Sequence, residues 1–149
     1  MDRLEVVFQE LAPLGGAVLL DTTLLDPPLR SAEEVVGEAT AMCRQSGRLT
    51  WIVLGWLIRN AERLDASRLI EEAGTNGNLS VLGLLCDAAA ERCPHPKFAA
   101  IVAACPKAPD REIFFHRVAA SPLAARLTLE NPIPLFLRWN YLSNEIRYL

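Results

Sequence analysis

Lysine is scarce in this chain: Lys97 and Lys107 stand against thirteen arginines. Histidine is equally scarce, with His95 and His116 alone. Neither G-x-x-x-x-G-K-[ST] nor G-x-G-x-x-G occurs, Gly15-Gly16 has no strand–turn–helix context, and Gly74-Thr-Asn-Gly77 has no lysine near it. Phosphate loops need that combination of glycine amides and a cation, so nucleotide-loop chemistry is excluded. The four cysteines, Cys43, Cys86, Cys93 and Cys105, lack close pairing. Structural zinc favours spacings such as C-x2-C, which Cys86, Cys93, His95 and Cys105 do not supply. These cysteines read as small buried apolar residues or surface thiols.

Nucleophilic catalysis requires a base within reach of the nucleophile. A dyad of Cys93 or Cys105 with His116 has nothing local to activate the thiol. Paired carboxylates at Glu33-Glu34 and Glu71-Glu72 are sequence neighbours, which point about 100° apart on a helix and do not converge. No catalytic residue, metal or cofactor is expected. Asp21 and Asp26, flanking Thr22-Thr23, are the acids in an apolar neighbourhood. With His116 they are the residues an enzymatic reading would have to use.

Long apolar runs are missing too. The longest, Trp51 to Ile58, is interrupted by Gly55 and bounded by Arg48 and Arg59. A membrane span needs ~20 residues. Met-Asp-Arg-Leu-Glu at the start carries no basic stretch followed by an apolar run. A cytoplasmic protein without a membrane segment is the expectation.

What is present fits one helical domain over residues 1–149, since the chain is 51% hydrophobic and 22% charged. Ser31-Ala-Glu-Glu34 is a capping box, predicting a helix from about Ala32 to Gln45, stopped by Ser46-Gly47. The next, about Leu49 to Glu62, is apolar almost all round and is the candidate central helix. Asp65 caps Ala66 to Ala73, and Gly74 to Gly77 reads as a turn. Asn78 caps Leu79 to about Arg92, and Pro96 opens a helix that reaches Cys105-Pro106. Asp110 caps another through Ile113, Phe114, Arg117 and Val118, and Ser121-Pro122 restarts it. After Asn131-Pro-Ile-Pro134 a last helix is expected from Leu135 to about Arg147. The first thirty residues are less regular; Leu4 to Ala12 is read as helix rather than strand, followed by an extended loop over Val18 to Leu25. The fold class is therefore all-α, an irregular multi-helix bundle or short α-hairpin stack around the 49–62 helix.

Charge is unevenly placed. Residues 1–40 hold eight acids against Arg3 and Arg30, a net of −6, while 41–70 hold five arginines against Glu62 and Asp65, a net of +3. The two segments either neutralise each other or leave an acidic face for a basic partner. Arg44, Arg48, Arg59, Arg63 and Arg68 are the candidate phosphate contacts. Base reading is not supported, because the second helix of a would-be helix-turn-helix presents Leu79, Ser80, Val81 and Leu82. An overall charge of −3 argues against general polyanion binding.

Residues 136–149 hold four of the chain's ten aromatics. Trp, Tyr and Arg are enriched at interface hot spots. Phe136, Arg138, Trp139, Tyr141, Arg147 and Tyr148 are thus the candidate partner-binding residues, the alternative being a final helix docked on its own core. The leading functional expectation is a non-enzymatic helical interaction or regulatory protein. Its partner would be itself or a second bacterial-type protein, as in an acidic antitoxin-like companion of a nucleic-acid-acting enzyme. The alternative is a nucleic-acid accessory protein touching phosphate through the 44–68 arginines.

Overall fold

Caps decide where most helices begin. The computed structural model describes residues 3–11 and 30–144, and nine α-helices lie among them. α1 (Arg3–Leu11) buries Val7 and Leu11, four residues apart on one face. α2 (Ala32–Ala39) starts at the expected capping box: Glu34 N donates to Ser31 Oγ, and the Glu34 carboxylate accepts from Ser31 N. α3 (Gly47–Arg59) is capped by Ser46, α4 (Ala66–Asn76) by Asp65 and α5 (Leu79–Arg92) by Asn78, which accepts from Ser80 N and Val81 N. α6 (Pro96–Ala104) carries proline in its first turn, and His95 Nδ1 accepts from Lys97 N at 3.1 Å, so this histidine is a helix cap.

The ends depart from the local signals. α2 stops at Ala39 and a 3₁₀ turn, Cys43–Gln45, follows. Thr40 Oγ1 donates to Gly37 O at 2.7 Å and accepts from Asn78 N at 2.8 Å, tying the end of α2 to the start of α5. α4 runs through Gly74 and Thr75 to Asn76, correcting the turn expected at 74–77. An internal glycine costs a helix only ~1 kcal/mol, and the extra turn delivers Gly77 against α2. A Cβ on Gly77 would stand 1.9 Å from Gly37 O, so only glycine allows this approach.

Alternate helices pack on one another. α2 lies on α4 and α4 on α6 in one row, and α3 lies on α5 in the other. This is a short stack of α-hairpins, with α1 covering α2. The 49–62 helix is inside as expected: Leu49, Ile52, Val53, Leu54, Trp56 and Leu57 are buried. Trp51 differs, standing 40% exposed. α5 is enclosed more completely, with Ser80 through Cys86, Ala88 and Ala89 all buried.

Beyond residue 110 the reading needs correction. Glu112–Ile113 forms β1 instead of part of a helix, paired in parallel with β2 (Tyr141–Leu142) in the register Glu112↔Tyr141. α7 is a single turn, His116–Ala119, and α8 (Pro122–Glu130) starts at the expected Ser121 cap. α9 covers only Pro134–Arg138 rather than reaching Arg147. The chain turns at Asn140, whose φ of 64° is left-handed, a conformation asparagine tolerates well. Asn140 Nδ2 donates to Ala108 O at 2.9 Å, holding that turn, and Tyr141 re-enters the core. No helix among the described residues is long and apolar enough to cross a membrane.

Candidate docking surfaces

The C-terminal aromatics among the described residues are core. Phe136, Trp139 and Tyr141 are 1%, 3% and 2% exposed, which removes them as partner-binding residues. Phe136 and Tyr141 meet Phe114 edge-on at 5.3 and 5.2 Å. Their polar atoms are satisfied internally: Tyr141 Oη shares a 2.7 Å hydrogen bond with Ser80 Oγ, and Trp139 Nε1 donates to Asp87 at 2.9 Å. Buried rings with satisfied polar atoms belong to a finished core. Arg138 is exposed and spans Asp87 and Glu91. Arg147 and Tyr148, like Asp21, Asp26 and the loop around them, lie outside the described residues.

The 44–68 arginines do not act as one patch. Arg44 is a structural staple, donating to Phe114 O and Ile113 O at 2.8 Å each and to Glu112 at 3.0 Å. Its guanidinium also lies 5.0 Å from the Tyr141 ring centre. Arg68 is paired with Glu72 and Glu34. Arg44 is thereby committed inward and corrected as a phosphate contact, while Arg68 stays exposed within its ion pairs. Arg48, Arg59 and Arg63 remain on the surface.

The N-terminal acids are largely engaged within the chain. Arg30 forks onto Glu10 at 2.7 and 2.8 Å and reaches Glu38 at 2.7 Å, and Arg3 also holds Glu38. Glu34 accepts from Arg68, and Glu33 from Asp65 N at 3.0 Å. The hydrogen bond from Arg3, with that from Arg30, keeps the Glu38 carboxyl below its ordinary range despite partial burial. Beside this pair lies an open cleft of about 620 Å³ lined by Arg3, Leu4, Glu38, Ala41, Met42, Gln45 and Asn76. It holds no nucleophile, and its carboxylate is committed to arginine.

The thiols offer no activated nucleophile among the described groups. Burial pushes Cys43 up to about 12 and Cys105 to about 11, and raises Cys86 further. A thiol raised in this way stays protonated and inert. Cys93 is exposed, and so is His116. Among the described residues no group of three or more His, Cys, Asp and Glu could hold a metal ion.

Two surfaces stand out that residue types alone did not reveal. On α8, Leu123, Leu127 and Leu129 are 68%, 49% and 59% exposed. The helix turns small residues inward: Thr128 is buried and donates to Ala124 O at 2.9 Å. Ala124 and Thr128 are one turn apart and face inward, while Leu123 and Leu127 share one flank of the helix and Leu129 stands on the other. On α3, the guanidinium of Arg92 lies over the part-exposed Trp51 ring, 5.2 Å from its centre. No protein-family model, curated protein or solved structure matches the chain.

Proposed function

We propose that this chain is a non-enzymatic helical interaction or regulatory protein that holds a protein partner through the exposed leucines of α8, led by the Leu123–Leu127 pair. The carrying observation is that Leu123, Leu127 and Leu129 are exposed, whereas every other leucine and isoleucine described is buried or partly buried. Soluble monomers expose few such clusters without a use for them. Covering three half-exposed leucines contributes on the order of 3–5 kcal/mol gross. That is short of the ~8 kcal/mol of a micromolar complex, so the partner must also engage neighbouring polar groups such as Arg126 and Glu130. The acidic, antitoxin-like version has less support, because Glu10, Glu34 and Glu38 already serve arginines of the same chain.

The test compares the wild type with a Leu123→Glu/Leu127→Glu variant. Light scattering over a concentration series reports self-association, and quantitative affinity capture reports a second protein. The expected result is an association lost in the variant at unchanged helix content and melting temperature. A monomer whose captured proteins do not differ between the two would overturn the reading.

A further inference from the structure

On the outer face of α3 arginines meet aromatic rings, where much of the molecule pairs them with carboxylates. Arg3, Arg30, Arg44, Arg68, Arg126 and Arg138 each pair with a carboxylate of this chain. Arg48 and Arg92 instead lie over aromatic rings: Arg48 is 5.4 Å from the centre of Phe8, and Arg92 is 5.2 Å from that of Trp51. Neither forms an ion pair among the described residues, and both are exposed. At 100° per residue Arg48, Gly55 and Arg59 fall on one line of the helix, with Trp51 about 60° to its side. Gly55 leaves room along that line, since Arg59 Nη1 lies 3.2 Å from the place a Cβ would take. The result is a cationic stripe around a half-exposed indole.

We infer that this stripe docks an acidic segment of a partner protein, with carboxylates on Arg48 and Arg92 and an apolar side chain against Trp51. The choice of anion follows from the size and borders of the patch. Arg48 to Arg59 spans ~16 Å of helix. Carboxylates bound it in the chain: Glu5 sits one turn before Phe8, Glu62 follows Arg59, and Glu91 adjoins Arg92. A nucleic-acid strand needs a longer basic track and successive stacking rings, commonly over ~4–16 nucleotides. Here one ring is exposed and the protein as a whole is negative. Guanidinium groups held over rings keep donors free to meet carboxylates in fork geometry. This surface is separate from α8 and stands whether or not α8 has a partner.

Trp56 and Trp139 are each 3% exposed, so acrylamide quenching of tryptophan fluorescence reads Trp51 almost alone. The probes are a helical peptide of Glu, Ala and Leu with glutamates four residues apart, the same peptide with Gln for Glu, and a twelve-nucleotide thymidine strand. Shielding of Trp51 by the Glu peptide is expected, weakened about tenfold or more by raising salt from about 50 to 300 mM. Arg48→Gln and Arg92→Gln are each expected to weaken it at least tenfold with an unchanged circular dichroism spectrum. Equal shielding by the Gln peptide, shielding by the thymidine strand as strong as that by the Glu peptide, or no shielding by any probe overturns the proposal.

Discussion

α5 and α8 are built from the same material and end in opposite environments. Both are capped helices rich in leucine and alanine, yet nine side-chain positions of α5 are buried and only Thr128 of α8 is. What separates them is coverage. α5 is packed by α3, α4, α6 and α9, so it is enclosed on every side, whereas α8 leans chiefly on α7. Composition therefore sets how much apolar surface a helix owns, and neighbours set how much of it the fold can use. The leucines of α8 are thereby left exposed.

The comparison is broken most severely by truncating the enclosed helix. Leu85→Ala should cost about 4 kcal/mol, through lost burial and a cavity that close-packed neighbours cannot fill, whereas Leu127→Ala should stay within about 0.5 kcal/mol. Urea denaturation of both variants measures the contrast, and similar losses would contradict it. Overpacking comes next. A Cβ on Gly83 would stand 2.3 Å from the Trp139 ring and 2.9 Å from Cys105 Cβ. Gly83→Ala should therefore cost about 3 kcal/mol by the same assay.

A smaller effect is expected at Arg44, which staples the 3₁₀ turn to β1 and the residue after it. Arg44→Ala removes the donors that hold Ile113 O and Phe114 O and uncovers Tyr141, at about 2 kcal/mol. The smallest effect is electrostatic. Glu38 has its carboxyl lowered by Arg3 and Arg30, so its contribution to stability is complete above the ordinary carboxyl value of ~4.3 and fades as pH falls through the lower folded value. Glu38→Gln lacks this dependence. Thermal melts between about pH 3 and 7 should show a flatter acid limb for the variant than for the wild type.

Helix starts were legible because caps are local. Ser31, Asp65, Asn78, Pro96 and Ser121 each announce a helix through groups within three residues. Helix ends were not, because distant partners decide them. Gly74 allows α4 to continue because Gly77 must reach Gly37, and Asn140 ends α9 because Ala108 receives its amide. The same limit applies to charge: counting acids and arginines gives a segment's net, but it does not reveal that Arg30 pairs within its own segment or that Arg44 turns inward. Phe136, Trp139 and Tyr141 resembled an interface by residue type and proved to be core; the partners of Tyr141 and Trp139, Ser80 and Asp87, lie more than fifty positions away in the chain. The leucines of α8 were visible as residues, but their outward turn depends on small Ala124 and Thr128 facing in.

Hydrogen exchange read by mass spectrometry on the monomeric protein tests most directly whether the chain leaves α8 uncovered. Amides of Leu79–Arg92 should exchange only through global unfolding, while those of Pro122–Glu130 should exchange orders of magnitude faster. Protection of α8 equal to that of α5 in the monomer would mean the chain already covers its own leucines, and the account of α8 as a docking face would fail.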